Sequence, residues 1–335
     1  MLEKYKVVTE NKEDVLYLYV NLDYEFSEEL DHQSLEEKAK NWIQTHNIQF
    51  QGNKVVFVVD GIISKVMNLK QPTTLQDNES ITLENGKTMS LQEVLLSLLF
   101  TNITIDLPLE VLKAIVLLYR SEILRLKENH IRLSSTHSNF SFTPFTYYKI
   151  SCPLTYQHYE QIYIQAIKET SGQYLVYQNE KIEAYIHMAS NGYTETKPGI
   201  PYLIKRESFW DFTYPYYLQI RHFSLDKLRR NLQLSADDYT VTIQNISQSN
   251  RIKALKIGDK VLSAQDIRIY LDLPSSDATI LVARDGLTFV TRGVGHGLGL
   301  SLWGAKALAE LGCNAKQILG YYFQGLTLIL PTTTA

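Results

Sequence analysis

ATILVARDGLTFVTRGVGHGLGLSLWGAKALAEL, residues 278–311, is the stretch whose reading decides the fold. Two alternating apolar runs flank Asp285-Gly286, a dipeptide suited to the tight turn of a β-hairpin. The second run ends in Gly293-Val294-Gly295-His296-Gly297-Leu298-Gly299, and SLWGAKALAEL then reads as a helix stopped by Gly312. Alternating glycines remove side chains, permit positive φ and let a ligand approach the backbone. A loop that feeds a helix can also present free N–H groups to an anion or an oxygen-rich ligand. A nucleotide loop is excluded on spacing: the last glycine of a GxGxxG pattern falls on Leu298 or Leu300, and no Lys-Ser/Thr follows. Two readings remain, a tight corner between hairpin and helix or a ligand loop from which His296 projects.

Working outward, residues 14–21 (DVLYLYVN) and 54–63 (KVVFVVDGII) read as strands, rich in β-branched and aromatic residues. Between them Ser34, with Glu37 three residues on, opens SLEEKAKNWIQTH with a capping box. A small strand-helix-strand region thus occupies residues 1–70, and residues 71–94 form a polar linker, Gln71 to Thr88, and the start of a lead-in helix, Ser90 to Phe100. PLEVLKAIVLLYRSEILRLKEN follows as an unbroken helix, with Asp106 expected to cap it and Pro108 in its first turn. Residues 157–171 predict another helix, stopped by Gly172, and YLVYQNEKIEAYIHM predicts two strands around Asn179-Glu180. Helices and strands mix without a strict βαβ alternation, so the expected class is α+β, with mixed helices and antiparallel strands forming a substrate cleft. Residues 95–330 make the main domain in this reading.

The composition narrows the function classes. A chain of 335 residues with 44% hydrophobic and 21% charged residues is globular, and a net charge of −3 offers no basic stripe for nucleic acid. The chain has 22 Tyr, which suit a sugar-lined groove or simply the edges of the core. Cys152 and Cys313 are too few for a disulfide framework. The N-terminus shows no basic region followed by an apolar stretch, and no run of about 18 uncharged apolar residues predicts a transmembrane helix.

Three constellations could carry chemistry. Glu110 opens the long helix, with Lys113 and Arg120 about 60–80° away around its axis. This is either a solvated ion-pair edge or an acid with two cations beside it. HMASNGYTE, residues 187–195, sets His187, Ser190 and Gly192 at the end of a strand. No G-x-S-x-G elbow surrounds the serine, so a turn lined with hydrogen-bonding groups is preferred to a nucleophile and base. His137, Cys152 and His158 lie at loose spacing without a fourth ligand, which is weak support for zinc.

Taken together, these segments resemble the stage II sporulation protein D (SpoIID) and LytB-type amidase-enhancer family over residues 95–330. The family's glycine-loop signature is matched by Gly295-His296-Gly297, Gly299, Ser301, Gly304-Ala305, Gly312, Ile318-Leu319, Tyr321-Tyr322 and Gly325. Its first-helix motif is matched by Pro108, Glu110, Leu112-Lys113-Ala114 and Arg120, and its central segment by Ala184, His187, Ser190 and Gly192. Pro201-Tyr202-Leu203 and Arg268 also fit. The sequence departs from the family pattern at Ile115, Asn191 and Leu302, and its Cys/His cluster is incomplete.

The resemblance implies a lytic transglycosylase acting on peptide-stripped peptidoglycan, with Glu110 as general acid and then base. It implies Lys113, Arg120, His187, Ser190, Gly192, Gly295, His296, Gly297 and Ser301 at the glycan, with no cofactor and no metal. The implied partners are glycan strands and a cell-wall amidase on the extracytoplasmic side. The alternative is a non-catalytic glycan binder that stimulates such an amidase.

Overall fold

The computed structural model describes residues 79–137, 139–234 and 240–330, together with the backbones of five strands nearer the N-terminus. The chain divides into two compact units, one centred on Met1–Thr73 and one spanning Thr74–Thr332. In the first, β1 (Leu2–Val8) and β2 (Val15–Asn21) form an antiparallel pair, while β3 (Gln49–Gln51), β4 (Lys54–Val59) and β5 (Ile62–Asn68) form an antiparallel meander. The apolar run read as one strand over 54–63 therefore belongs to two strands, one ending at Val59 and the next beginning at Ile62. The helix expected from Ser34 lies outside the described residues.

The second unit is α+β. It opens with a hairpin of β6 (Ser80–Thr82) and β7 (Thr88–Ser90) inside the stretch expected as linker. Helix α1 (Leu91–Asn102) follows, and Ser90 and Glu93 close a reciprocal capping box at its start. Helix α2 (Leu109–Glu128) is the centre of the unit, with Val111, Ala114, Ile115, Leu118 and Ile123 wholly buried. It packs against α1 and against α4 (Pro153–Glu169), which follows the short exposed helix α3 (Phe145–Ser151). Asp106 does not cap α2. Its carboxylate instead accepts from the Tyr159 hydroxyl at 2.5 Å, and Pro108 occupies the cap position.

Strands β8 (Tyr174–Tyr177) and β9 (Glu180–Lys181) form the expected hairpin, its turn made by Gln178 and Asn179 with positive φ. The two-residue β10 (Ile186–His187) leads to a 3₁₀ turn at Phe209–Thr213. A second core lies beyond it. There β11 (Leu218–Ser224), helix α5 (Leu225–Leu232), the meander β12 (Val241–Ile246), β13 (Ile252–Ile257), β14 (Lys260–Ser263), and helix α6 (Ala264–Tyr270) enclose Phe223, Leu228, Leu255, Ile257, Ile267 and Phe289. Sequence periodicity had not singled out these elements.

The stretch 278–311 folds as read, with one shift. Strands β15 (Ala278–Ala283) and β16 (Gly286–Arg292) pair with Ala283 opposite Gly286, so Arg284 and Asp285 form the turn. Strand β11 completes this sheet on the other side of β16. After the glycine loop come β17 (Leu300–Ser301), α7 (Leu302–Glu310), α8 (Ala315–Tyr322) and β18 (Thr327–Ile329), the last pairing with β8. Among the described residues no helix is long and apolar enough to cross a membrane.

Arg120 joins the two longest helices. It is fully buried, and its guanidinium donates to the carbonyls of Ile167, Thr170 and Gln173 at 2.8–3.2 Å. These acceptors lie at the C-terminal end of α4, where carbonyls lack helical partners and the helix dipole favours a cation. Replacing Arg120 by Met keeps the bulk and strips those carbonyls of their donor. The expected loss is about 2–4 kcal/mol of unfolding free energy in urea titration. An unchanged midpoint would show that the guanidinium does not hold α4.

Candidate functional site

The three segments singled out by sequence make their hydrogen bonds in two settings. His187, Ser190, Gly192, Gly295, His296, Gly297 and Ser301 gather around a buried polar centre, while Glu110, Lys113 and Arg120 belong to the helical layer.

At the centre, the segment 186–195 runs along the glycine loop. Strand β10 pairs in parallel with β17, setting His187 opposite Ser301. Ala189 and Val294 exchange two backbone hydrogen bonds, and Glu195 N–H donates to the Gly297 carbonyl at 2.8 Å. This close threading is why glycine is required. At Gly299, φ is +67° and an added Cβ would lie 2.3 Å from the Tyr185 carbonyl oxygen, a contact with no room to relax. Gly295 lies against the His187 side chain, Gly297 against the Arg251 guanidinium, and Gly192 against the Phe212 ring.

Ser190 and Ser301 converge on Asp211, a residue that the sequence reading missed. One Asp211 oxygen accepts from the Ser190 N–H and the other from the Ser301 hydroxyl, each at 2.8 Å. The Ser190 and Ser208 hydroxyls also face the carboxyl group. Ser190, Ser208, Asp211 and Ser301 all have 0% exposure. The serines thus act as structural donors. Burial raises the Asp211 carboxyl to about 6 from an ordinary 3.8, against the opposing pull of the serine donors. A local signal existed: Asp211 is a lone acid between aromatics in Phe209-Trp210-Asp211-Phe212.

The two histidines sit beside this hub with ring centroids 5.8 Å apart. His187 is buried, its Nδ1 is 3.0 Å from the Leu298 carbonyl, and its buried Nε2 has no hydrogen-bond partner among the described residues. Leu298 N–H donates to His296 Nδ1 at 2.9 Å. Burial pushes His187 well below its usual range, helped by His296 and Arg251. Burial also pushes His296 down to about 3, helped by the Arg268 and Arg251 charges. Both shifts favour the neutral imidazole near pH 7. Asn191, a departure from the family pattern, donates to the Asp277 carboxylate and accepts from Arg251 at 2.6 Å.

In the helical layer, both oxygens of Glu110 are engaged. Lys113 Nζ donates to Oε1 at 2.7 Å, and the Ala315 N–H at the start of α8 donates to Oε2 at 2.8 Å. Lys113 also pairs with Glu169 on α4. Glu110 is about one-third exposed, and with its partners it pins α8 and α4 to the start of α2. His137 stacks on Phe140 and faces the buried Glu122, Cys152 is exposed, and His158 approaches Asp106 at 3.9 Å. Among the described residues, no three His, Cys, Asp or Glu side chains come together as metal ligands.

The folded value of Asp211 lies above its unfolded value, so the protonated carboxyl is the form favoured by the fold. Its contribution is complete below about pH 4 and is lost as pH rises towards 6. Converting that shift gives about 3 kcal/mol. With Asp211→Asn, urea unfolding from pH 4 to 7 should show the gap between variant and parent moving by roughly that amount in the variant's favour. A gap constant with pH would mean that the carboxyl titrates as in an open chain.

No family model matches the chain. It is similar to stage II sporulation protein D of Bacillus amyloliquefaciens, at 35% identity over 170 residues, 49% of each chain. The same protein of Bacillus subtilis is 34% identical over 167 residues, 48% of this chain and 49% of that one. The amidase enhancer of Bacillus subtilis is 24% identical over 225 residues, 49% of this chain and 32% of its own length. The chain spans about half the length of the sporulation proteins it matches. These relatives carry the names to which the motifs pointed, so the resemblance holds.

Proposed function

We propose that this chain is a glycan-recognising module of cell-wall remodelling in sporulation, which assists a wall amidase and leaves the sugar strand uncut. The observation that carries this reading is the state of Glu110. Cutting a glycosidic bond requires an acid that hands a proton to the bridging oxygen. Here both Glu110 oxygens act as acceptors, one from an ammonium and one from a backbone N–H. The carboxyl group held high in pH, Asp211, is sealed beneath three serines. The relative named amidase enhancer supports the same direction.

The rival is a lytic transglycosylase with Glu110 as acid and then base. It requires Glu110 to release Lys113 and Ala315 when substrate arrives. Incubation with peptide-stripped glycan strands, followed by mass analysis, separates the two. The expected result is binding without 1,6-anhydro ends, and faster peptide release when a cell-wall amidase is added. Anhydro products from the parent, lost in Glu110→Gln, would overturn the binding reading in favour of cleavage.

A further inference from the structure

Strand β15, Ala278-Thr279-Ile280-Leu281-Val282-Ala283, lies at the rim of the β11-β16-β15 sheet, and among the described residues no strand pairs with its outer side. A bare edge is a template for another strand, so proteins blunt their edges with charges, prolines, bulges or short length. The other edges of the second unit follow that rule. Strand β11 carries Arg221 and His222, β12 is irregular in register around Asn245, and β14 begins with Lys260. Strands β6, β7, β9, β10, β17 and β18 have two or three residues each. Strand β15 alone is longer, regular in register, and free of charge and proline. Leu281 is 55% exposed and Val282 65%.

The hydrogen-bond pattern shows which backbone groups are open. Arg292 N–H donates to the Asp277 carbonyl, and the register runs on from Ala278 opposite Thr291 to Ala283 opposite Gly286. Alternate residues of such a ladder turn their backbone groups to the same side. Thr279, Leu281 and Ala283 therefore follow Asp277 and bond to β16, while Ala278, Ile280 and Val282 turn N–H and C=O to the free edge. The Ser276 carbonyl, next on that side, accepts from Ile252 N–H at 2.9 Å. The open stretch thus begins at Ala278 and ends at the Arg284-Asp285 turn.

We propose that β15 is the joint of a symmetric dimer, in which it pairs antiparallel with β15 of a second copy. The open residues are spaced evenly about Ile280, which is what a two-fold axis requires. With the axis at Ile280, Ala278 faces the partner's Val282, Ile280 faces the partner's Ile280, and each pair exchanges two backbone hydrogen bonds. A shift by one residue opposes open groups to groups already bonded to β16, and a longer shift leaves some of them unpaired. Residues near a two-fold axis meet their own copies, so a charge there would repel itself, and this strand has none. The nearest charges are Asp277 before the strand and the exposed Arg284 after it. Antiparallel pairing brings these opposite signs to the same end of the joint.

The pairing joins two three-stranded sheets into one. Strand β16 runs directly into Gly293, so both glycine loops then hang from a single sheet. A one-strand joint covers less than the roughly 800 Å² per partner of a standard interface, which sets the dissociation constant on the order of micromolar. The inference stands apart from the function proposed above and does not need it.

Sedimentation velocity of the full chain tests it, from about 1 to about 200 µM protein. The parent should pass from monomer to dimer across that range. Leu281→Lys puts the usual edge guard on an exposed site and should weaken the dimer about tenfold or more with an unchanged melting temperature. Val282→Pro removes one open N–H from the joint and should do the same. Ile220→Lys, on the same sheet but on β11, should leave the dimer intact.

In amide exchange, the Ile280 and Val282 N–H groups should become protected as concentration rises, while Thr279 and Leu281 are protected throughout. A parent that stays monomeric over the whole range would overturn the proposal. So would a dimer that survives both Leu281→Lys and Val282→Pro, because the contact would lie elsewhere. Loss of the dimer in Ile220→Lys would point to packing through the sheet face and refute the edge joint.

Discussion

The carboxyl group of Asp211 is the constraint on which the polar half of the structure depends. It gathers donors from Ser190 after β10, from Ser208 just before the 3₁₀ turn that carries Asp211 itself, and from Ser301 at the start of α7. A buried carboxyl without such donors would be strongly destabilising, so the segments have to meet there. Neighbouring contacts reinforce the hub. The Tyr322 hydroxyl takes the Trp210 indole N–H at 3.2 Å, and both press on Gly304, where an added Cβ would lie 2.1 Å from the Tyr322 oxygen. The glycine loop is tied to 186–195 by backbone hydrogen bonds at Ala189, Val294 and Glu195.

This arrangement changes the meaning of the motif residues. Ser190, Ser301 and His187 have the residue types of a sugar-binding or catalytic set, yet they are buried and directed inwards. Their hydrogen bonds run to Asp211 and to the Leu298 carbonyl of the loop. What faces the solvent is the edge of that loop, with His296 half-exposed and cations beside it.

Glu110 shows the same principle in the helical layer. The sequence left two readings open, an ion-pair edge or an acid. The folded chain brings the start of α8 over Glu110, two hundred residues away along the chain, and converts the pair into a clasp between helices. Lys113 extends it to α4 through Glu169. Arg120, on the same helix, is wholly committed to the end of α4. No helical wheel reveals these partners, because all of them come from distant parts of the chain.

Several features were legible in the sequence because their physics is local. The 278–311 hairpin, glycine loop and helix follow from period-two patterning, turn residues and glycine conformational freedom. The helix start at Ser90 and the unbroken apolar stripe of α2 belong to the same class, as does the α+β class itself. The family resemblance was legible for a related reason, since the spacing of motif residues survives without any knowledge of contacts. The second core escaped notice. Its strands β11 and β12 expose Leu218, Ile220 and Ile243, so apolar residues fall on both faces and the alternation that marks a strand is blurred. Tertiary structure alone decided which polar groups are sealed and which are open. Burial, hydrogen-bond partners and counter-charges are supplied by residues far apart in sequence, and they turned Ser301 into a donor to a buried carboxyl and Glu110 into a clasp between helices.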